Sequence, residues 1–537
     1  MKKEISRRSF LASTALFGAA VAGAGMASCA PQASSDEAKK TDETQNVAAD
    51  ETLETDVLVV GLGTAGMMAA LGAAKAGAKV VGAEKVSKME NTTNASTHGA
   101  WVVGSSLELQ CADPITIEEA MSYFQGGTNY QFSSQALRSV LEAGGRAIDM
   151  LKEGGFTFET SPFFKATKES PMINRGAHDY MFPAEKRGPM FQKLLDEAGV
   201  ETLFDMTGTS ILLEEGAVSG VRFKHGNDVV DIKARAVILS TGGFLDNPDM
   251  AKLHLASGYP AVSIDPAPSA GEGVSMALDA GAQLGKTFSV VLNEYGGANE
   301  KATPMNSRSI GSSMAGNDML RFIHFGGLLV DKNGDRFVNE GYVAENPFFS
   351  GEPLVRTGIY YAIADTTFME RLASEPYAGF FSTGKMKSAA KDLVLSDAFD
   401  QFAKAEDEGW ACKGSLSEIA EYFGLTNLED TVASYQTCVD AGNDTELFKD
   451  PKYLFPVSQA PFYAIELRPS AYQTIGGIKC NGDCQALDPE GNAIAGLYVA
   501  GGDADIYSSP YYLNGTANGF SLGSGLVAGE AAASTVI

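Results

Sequence analysis

The stretch Asp56-Val-Leu-Val-Val-Gly-Leu-Gly-Thr-Ala-Gly66 decides the fold of this chain. Its four apolar residues before the first glycine are mostly β-branched, which is typical of a buried parallel strand. Gly61, Gly63 and Gly66 follow at G-x-G-x-x-G spacing, and an Ala-rich helical run comes next. The first glycine permits a tight turn, the second lets the backbone approach a pyrophosphate, and the third lets helix and strand pack closely. The stretch therefore predicts a dinucleotide site at the start of a helix.

A second predicted strand, Lys79 to Ala83, supports this interpretation. It ends at Glu84, 18 residues beyond Gly66, about where an acidic side chain binds the ribose of a dinucleotide. An ordinary glycine-rich turn is the alternative. The strand before the glycines and the helix after them favour the nucleotide site.

The composition limits the classes of protein that this chain can belong to. Its 537 residues are enough for two or three domains with large cores. The formal net charge of −26 argues against a nucleic-acid partner and favours a basic one. Because strongly apolar runs of 18 or more residues are lacking beyond the N-terminal segment, we do not expect the body of the chain to span a membrane.

Residues 1–30 have the pattern of an export signal. Ser6-Arg7-Arg8-Ser9-Phe10-Leu11 is typical of a twin-arginine signal, and a mild apolar stretch follows it. Met26-Ala27-Ser28-Cys29 resembles a lipoprotein cleavage box, which would leave Cys29 lipidated; ordinary cleavage nearby is the open alternative. Residues 31–54 are polar and charged, so we expect a disordered tether. The protein is therefore expected in the periplasm or cell envelope, with a possible lipid anchor at Cys29.

The cysteines suggest a disulfide rather than a metal centre. Cys480 and Cys484 are close enough in sequence to close a small disulfide loop in an oxidising compartment. A metal or iron–sulfur centre would need further ligands nearby, and none is visible, so no metal is predicted. The sequence lacks a C-x-x-C-H motif, which predicts that the chain carries no c-type haem of its own.

The rest of the chain indicates one domain interrupted by another. Four short strand patterns between residues 200 and 232 are consistent with a small inserted sheet. A buried strand then runs into Thr241-Gly242-Gly243, the kind of glycine turn that completes a doubly wound sheet. Between 286 and 470 the pattern changes to hairpins and helices. The first domain resumes at 471–537, where an apolar strand from Gly496 ends in glycines and Asp503.

Together with Gly334-Asp-Arg-Phe-Val-Asn-Glu340, these motifs have a familiar order. From about residue 55 to 535 the chain resembles the FAD-binding family of flavocytochrome c fumarate reductases, urocanate reductases and 3-ketosteroid dehydrogenases, without a haem domain. The resemblance implies an α/β fold: a Rossmann-like FAD-binding domain in two parts, 55–285 and 471–537, and an inserted α+β capping domain, 286–470. It also implies non-covalent FAD, because Asn91 to Thr93 stand where covalent members have the attached histidine.

The resemblance assigns FAD-binding residues along the whole chain. The ADP part of FAD is implied to contact Gly61, Gly63, Ala65, Gly66, Glu84 and Lys85. The flavin end is implied to lie against Asn94, Ser96, Thr97 and Gly99 of the loop after Glu90, and Thr241 and Gly242 of the second glycine turn are also implied to bind FAD. The ribityl chain is implied to lie near Gly502 and Asp503, and the pyrimidine ring near Ser521 and Leu522.

Three departures from the family pattern disfavour a dicarboxylate substrate. Fumarate reductases carry an arginine four residues after the glutamate of R-F-V-N-E, where this chain has Ala344. They carry a histidine before a T-M-G-G turn, where it reads Ala471-Tyr-Gln-Thr-Ile-Gly-Gly477. They clamp a carboxylate with an arginine in A-N-R-L-G-G, where it reads Thr516-Ala-Asn-Gly-Phe-Ser521. A dicarboxylate bound without these cations would leave charges unpaired, which costs several kcal/mol.

The C-terminal region is more similar to the ketosteroid dehydrogenases. In that branch a tyrosine four residues before a glycine holds the substrate carbonyl, and Tyr511 and Gly515 match this spacing. Such a site polarises an enone. Tyr342 and Tyr472 are candidates for the remaining acid or base, since they stand near the missing arginine and histidine. For each tyrosine, a packing role is the alternative.

The preferred hypothesis is an exported, FAD-dependent oxidoreductase that reduces an activated C=C bond of an enoate or enone in anaerobic respiration. Its electrons would come from a separate donor, expected to be a membrane-anchored cytochrome. One alternative is a 3-ketosteroid-type dehydrogenase that introduces a C=C bond. Another is a flavin-binding lipoprotein without catalytic activity.

Overall fold

The computed structural model describes residues 48–97, 99–128, 130–131, 133–159, 175–255, 261–263, 267–285, 289–299, 327–345, 353–376, 394–506 and 515–537. The predicted signal, most of the predicted tether and Tyr511 lie outside these residues.

The described part of the chain is a mixed α/β structure. Its strands are β1 (Glu51–Val60), β2 (Val80–Ala83), β3 (Gly99–Trp101), β4 (Phe158–Glu159), β5 (Ala177–Tyr180), β6 (Glu201–Leu203), β7 (Met206–Glu214), β8 (Ala217–His225), β9 (Asp228–Leu239), β10 (Val262–Ser263), β11 (Ser289–Ala298), β12 (Leu328–Asp331), β13 (Tyr360–Ala364), β14 (Ala411–Gly414), β15 (Phe462–Ile475), β16 (Gln485–Leu487) and β17 (Ala493–Val499). Its helices are α1 (Thr64–Lys75), α2 (Thr93–Ser96), α3 (Ile117–Gly127), α4 (Ser134–Glu153), α5 (Ala184–Glu197), α6 (Pro248–His254), α7 (Glu272–Asp279), α8 (Glu340–Glu345), α9 (Thr366–Ser374), α10 (Ala398–Asp407), α11 (Leu416–Phe423), α12 (Leu428–Ala441) and α13 (Thr516–Val536).

The main sheet is centred on β1. Its strand order is β16-β17-β9-β1-β2-β6, with β8 paired to β9 and β7 paired to β8. The pairs β17–β9, β9–β1, β1–β2 and β2–β6 are parallel. Val57 to Val60 are buried on both faces of the sheet, as expected for a central parallel strand. The carboxyl ends of β1, β9 and β17 therefore meet at one edge of the sheet, where open α/β sheets bind their ligands.

Strand β1 begins earlier than the sequence predicts. Residues 51–54 pair with β9 from Val230 to Lys233, although they were predicted to belong to the disordered tether. The prediction is wrong for these four residues because a long neighbouring strand satisfies their backbone groups, and strand pairing tolerates exposed polar side chains at a sheet end.

The predicted small inserted sheet is not a separate sheet. Strand β6 pairs with β2, and the hairpin of β7 and β8 pairs with the first half of β9. Strand β9 is continuous from Asp228 to Leu239, so the patterns predicted as two strands are one. Its first half carries β8 and its second half carries β17.

A second sheet of six strands is covered by helices on both faces. Strand β15 pairs with β10, β11, β13 and β14, and β12 pairs with β13. Alternate residues of β13 face different cores: Tyr360 and Ala362 pack with α9 and α10, whereas Tyr361 and Ile363 pack with α11 and α12. This alternation follows from the period of two in a strand.

The second sheet crosses the predicted domain boundaries. Strand β10 precedes residue 286, and β15 continues through 470 to Ile475. The capping sheet and the resumed FAD-binding part thus share one strand. Within the described residues, helices with the length and hydropathy needed to cross a membrane are absent.

Helices α1 and α13 pack against each other through glycines. A Cβ added at Gly525 would lie 2.1 Å from the Ala65 carbonyl oxygen, and one at Gly529 would lie 2.2 Å from the Ala69 oxygen. The two helix backbones are therefore in direct contact. Because the first turns of both helices line the cavity described below, this contact sets the distance between two of its walls.

We expect Gly529→Ala to lower the free energy of unfolding by roughly 1–3 kcal/mol, because the added methyl group overpacks this contact. Gly126→Ala is the matched control: Gly126 is exposed in α3, and an added Cβ would have no atom within 4 Å. Alanine is favoured over glycine in helices by up to about 1 kcal/mol. Thermal unfolding followed by circular dichroism should move the Tm of the two variants in opposite directions; an unchanged Tm for Gly529→Ala would contradict the close packing.

Candidate functional site

Three glycine turns meet at the carboxyl ends of β1, β9 and β17. Gly61 follows β1 with φ of 90°, and a Cβ there would lie 2.6 Å from the Ser240 carbonyl oxygen. The turn after β17 touches the turn after β9, since a Cβ at Gly502 would lie 2.8 Å from the carbonyl carbon of Gly242. Only glycine allows backbones to approach this closely.

The first turn leads directly into α1. Gly63 is the N-cap of α1 and provides no side-chain cap, so the first backbone N–H groups of the helix stay available to a ligand. A Cβ at Gly66 would lie 1.7 Å from the Gly61 carbonyl oxygen. Gly66 therefore lets the helix pack against the turn, which is the role that the spacing predicts for the third glycine.

Asp503 ties the second and third turns together. Its carboxylate accepts hydrogen bonds from the backbone N–H of Thr241 (2.5 Å) and Gly243 (2.9 Å) and from the Thr241 hydroxyl (2.9 Å). The side chain is fully buried, and burial raises its pKa to about 6, against the effect of these donors. Asp503 was predicted to contact the cofactor; the structure instead makes it a positioning residue behind the wall.

The turns surround a cleft with about 1280 Å³ of space not filled by protein atoms, part of it open to solvent. Its walls come from the three turns, the end of β2, β7, the start of α7, the β11–β15 pair and the first turn of α13. The cleft therefore combines the predicted dinucleotide site with residues of the second sheet.

The Glu84 region of the cleft consists of Glu84, Lys85 and Glu272. The Glu84 carboxylate accepts hydrogen bonds from the backbone N–H of Leu62 (2.7 Å) and Val86 (3.0 Å), which fixes it beside the first glycine turn. Each of its oxygens keeps a second lone pair for a ribose hydroxyl. Lys85 Nζ lies 2.9 Å from Glu272 Oε1, and each side chain is 22% exposed.

Another wall is formed where α13 meets β3. The Trp101 N–H donates to the Gly515 carbonyl oxygen (2.9 Å), and the Asn518 amide donates to the Gly99 carbonyl oxygen (2.9 Å). Gly515 is the N-cap of α13 with φ of 90°. These contacts hold the start of α13 against the small sheet of β3, β4 and β5.

Three buried acceptor atoms in and beside the cleft have no hydrogen-bond donor among the residues that the structure describes: Asn94 Oδ1, Glu272 Oε2 and Asn518 Oδ1. Buried polar atoms in native proteins are normally satisfied. A flavin dinucleotide offers complementary donors, namely ribose and ribityl hydroxyls, the adenine amine and the flavin N3–H. The free helix N-terminus and the close glycine backbones suit its pyrophosphate. The residues present therefore fit FAD.

Most of the predicted site residues of the described chain line the cleft. These are Gly61, Gly63, Ala65, Glu84, Lys85, Thr97, Gly99, Thr241, Gly242, Gly502, Ser521, Gly515 and Tyr472. Four predicted cofactor residues lie behind the wall: Gly66 and Asp503, described above; Asn94, which donates to the Leu62 carbonyl oxygen (2.7 Å); and Leu522, which is fully buried in the main core. The side chain of Ser96 and the whole of Tyr511 lie outside the described residues.

Tyr342 does not line the cleft. It is on α8 in the second domain with 54% of its surface exposed, so the prediction that it acts as an acid or base is not supported by its position.

The motif that precedes Tyr342, residues 334–340, instead contributes to a buried network of ion pairs. Arg336 Nη2 lies 2.8 Å from Glu340 Oε2 and 2.8 Å from Asp444 Oδ2, and all three side chains are buried. A paired, hydrogen-bonded network of this kind holds segments together.

Sequence reasoning missed several residues that line the cleft. Glu272 and Val291 were given no role, and Gln473 and Asn518 were noted only within runs that depart from the family pattern. The Gly-Glu-Gly sequence at residues 271–273 was a usable signal, because small residues beside an acid at a helix N-terminus suit a nucleotide.

The comparisons with known proteins agree with this geometry. The profile of the FAD binding domain family matches residues 56–517. The chain is 28% identical over 491 residues to a vinyl phenol reductase of Lactiplantibacillus plantarum, covering 89% of this chain and 96% of that protein. It is 26% identical over 563 residues to a digoxin reductase of Eggerthella lenta, covering 93% of this chain and 91% of that protein. The open conformation of a flavocytochrome c3 fumarate reductase has a TM-score of 0.61 at 21% identity, covering 94% of this chain and 82% of that one.

These matches confirm the resemblance drawn from the motifs and the α/β fold class. They also confirm that the cofactor is FAD.

We expect Glu272→Gln to raise the Kd for FAD about tenfold, or ~1.4 kcal/mol, because the amide loses the charge that holds Lys85 and one acceptor for the cofactor. Quenching of flavin fluorescence on titration of the apoprotein measures this. Asp231→Asn is the matched control, since Asp231 forms a 2.7 Å pair with Arg222 at similar exposure and does not line the cleft. Equal affinity in both variants would rule out Glu272 as a cofactor residue.

Asp503 should give the protein a distinctive dependence of stability on pH. Its folded pKa, about 6, is above that of an unfolded aspartate, about 3.9. Asp503 therefore stabilises the folded protein fully below about pH 4. This stabilisation is lost as the pH rises to about 6, which lowers the free energy of unfolding by up to ~3 kcal/mol. Asp503→Asn should lack this loss, whereas Asp483→Asn, on an exposed residue, should retain it. The Tm measured between pH 4 and pH 7 tests this, and parallel curves for wild type and Asp503→Asn would contradict it.

Proposed function

Because the chain belongs to the FAD-binding domain family, and is an FAD-dependent oxidoreductase of C=C bonds like its relatives, we propose that it reduces an activated C=C bond in an uncharged organic molecule. We further propose that it works outside the cytoplasm with electrons from a separate donor.

The contact between Gly519 and Trp101 carries the proposal for an uncharged substrate. Gly519 stands where fumarate reductases have the arginine that clamps a carboxylate. A Cβ at Gly519 would lie 2.0 Å from the Trp101 carbonyl oxygen and 2.9 Å from its carbon. The backbone of β3 thus fills the space that any side chain at this position would need. An arginine there is excluded by the packing as well as by the sequence.

The charges around the cleft support the same substrate class. Lys85 is the one cationic side chain among the described residues of the wall, and it is paired with Glu272. The Tyr472 region, formed by Val291, Tyr472 and Gln473, contains no charged side chain. A substrate carboxylate brought into this region would lose hydration without gaining a described counter-charge, which is unfavourable.

Two relatives of the chain, the vinyl phenol reductase and the digoxin reductase, favour a neutral substrate. Their names describe reduction of a vinyl phenol and of digoxin, neither of which needs a carboxylate clamp. An enone, a vinyl arene or an unsaturated ester would match the neutral wall. Of the substrates expected from the sequence, we therefore propose the enone, the unsaturated ester and related neutral alkenes, and not the free enoate.

When bound, FAD supplies hydride chemistry at the substrate alkene. The residues of the chain hold the cofactor and move the proton. The glycine turns and α1 would hold the pyrophosphate, and the β11–β15 pair supplies the Tyr472 region of the wall. We propose that Tyr472 holds the proton at its hydroxyl oxygen, since it lines the cleft from β15. Tyr511 and Gly515 remain the proposed pair that binds a substrate carbonyl or phenol oxygen.

The export signal and the electron donor are proposed from the sequence. A twin-arginine motif at residues 6–11 favours a periplasmic or envelope location, with a possible anchor at Cys29. The chain lacks a c-type haem motif and has a net charge of −26. Both features favour a separate, basic donor, which we propose to be a membrane-anchored cytochrome. The similarity to reductases favours an enzyme over the alternative of a flavin-binding lipoprotein without catalytic activity.

A dehydrogenase that introduces a C=C bond into a ketosteroid is the second candidate. The spacing of Tyr511 and Gly515 favours it, because a polarised ketone acidifies the neighbouring C–H bond. The oxidised protein would then reduce an artificial acceptor in the presence of a saturated 3-ketosteroid.

An anaerobic reoxidation experiment tests the proposed function. The protein is reduced with dithionite, and flavin absorbance is followed after addition of matched pairs: 4-vinylphenol and 4-hydroxycinnamate, methyl acrylate and acrylate, dimethyl fumarate and fumarate. We expect the neutral member of at least one pair to reoxidise the flavin tenfold faster or more, about the effect of ~1.4 kcal/mol. Faster reoxidation by the carboxylates would overturn the substrate class.

The same assay tests the proposed proton donor. Tyr472→Phe should slow reoxidation by the preferred substrate about 100-fold, as expected for loss of a general acid, without changing the Kd for FAD. Tyr342→Phe, on an exposed tyrosine away from the cleft, is the matched control and should keep the wild-type rate. If Tyr472→Phe also keeps it, the tyrosine is a packing residue.

A further inference from the structure

A short hairpin, residues 478–487, lies directly behind the third glycine turn. The Ile478 N–H donates to the Asp503 carbonyl oxygen, and the Asp505 N–H donates to the Ile478 carbonyl oxygen, each at 2.8 Å. At the other end of the hairpin, the Val499 N–H donates to the Cys484 carbonyl oxygen at 2.9 Å. The hairpin is therefore bonded to both ends of the segment 499–505, which contains the glycines of the third turn.

Two cysteines face each other inside this hairpin. Cys480 and Cys484 are both free and both buried, with 4% and 0% of their surface exposed. The neighbouring Cys484 side chain raises the pKa of the Cys480 thiol, which places the two side chains close to each other. Their separation of four residues is closed by backbone bonds from Cys484 to Asn481 and from Asn481 to Gln485, each at 3.1 Å. Two neighbouring cysteines in one closed turn can be joined by a disulfide if their backbones are at the right distance, which such a turn provides.

A metal does not explain this pair. Among the described residues, the His, Cys, Asp and Glu side chains close enough to share an ion are Cys438, Asp444 and Glu446, and these belong to the second domain. A dithiol with two ligands and no third residue within reach is a poor metal site. A disulfide uses both sulfurs and needs no further group.

We propose that Cys480 and Cys484 form a structural disulfide when the protein is held under oxidising conditions, and that this bond braces segment 499–505 against the FAD. In terms of chemistry, one thiolate attacks oxidised glutathione to give a mixed disulfide and a free glutathione thiol. The second protein thiolate then displaces the remaining glutathione. Two electrons and two protons pass from the protein dithiol to two glutathione thiols.

The surroundings of the pair indicate how fast the bond forms. The neighbouring Cys484 side chain and burial both raise the pKa of the Cys480 thiol, so its reactive thiolate is scarce in the folded protein. Oxidation of the folded protein should therefore be slow. Once formed, the disulfide is shielded from reducing agents by the same packing.

The first experiment counts thiols. Full-length holoprotein is produced in an oxidising and in a reducing compartment, unfolded in the presence of iodoacetamide and analysed by mass spectrometry. We expect two fewer alkylated cysteines in the oxidised preparation, and a disulfide in the peptide that contains 480–484. Cys480→Ser should abolish this difference, whereas Cys438→Ser, on a buried cysteine of the second domain, should retain it. Complete alkylation of Cys480 and Cys484 in the oxidised protein overturns the disulfide.

The second experiment tests the brace and uses wild-type protein alone, so it does not depend on the folding of a variant. The disulfide form should have a Tm higher by about 2 °C and should release FAD about threefold more slowly in moderate urea. Flavin fluorescence follows the release. Equal Tm and equal release rates in the two forms overturn the bracing role. Both readouts are independent of the substrate of the enzyme.

Discussion

Direct contact between backbones at the ends of β1, β9 and β17 is the constraint on which the rest of the structure depends. Gly61 meets the Ser240 carbonyl, and Gly502 meets Gly242, at distances that no side chain permits. Because the strand ends converge this closely, the cofactor can lie along them and reach helix α1 at the same time. Asp503 fixes the convergence by hydrogen bonds rather than by contact with the cofactor. Glycines allow equally close backbone packing at the α1–α13 contact.

The chemistry of the cleft is set more by acceptors than by charges. Glu272 and Asn518 each present a buried oxygen that no described residue donates to, and Asn94 presents a third beside the wall. These atoms suit a ligand rich in hydroxyl and N–H groups, which FAD is. In the Tyr472 region the described wall is neutral, and the β3 backbone occupies the place of a family arginine. The scaffold thus provides a site that fits FAD, and the described wall of the Tyr472 region offers no counter-charge to a carboxylate.

The parts of this structure that could be predicted are the local ones. A strand, three spaced glycines and a helix are contiguous in sequence, so their geometry and the position of Glu84 followed from spacing. The parts that failed depend on distant partners. Lys85 and Glu272 are 187 residues apart, and Asp444 closes the network around Arg336 from 108 residues away. An acid beside glycines, such as Asp503, can hold a ligand or a neighbouring turn, and only the fold distinguishes these roles.

The position of α13 has a consequence for how the enzyme acquires its cofactor. The strand that begins the nucleotide site leaves the ribosome early, but Ala517, Asn518 and Ser521 complete the wall of the cleft and emerge hundreds of residues later. Until then, α1 lacks the helix against which its Ala65 and Ala69 backbones pack. The wall that receives FAD is therefore complete only after α13 has docked, so cofactor binding depends on residues from both ends of the described chain.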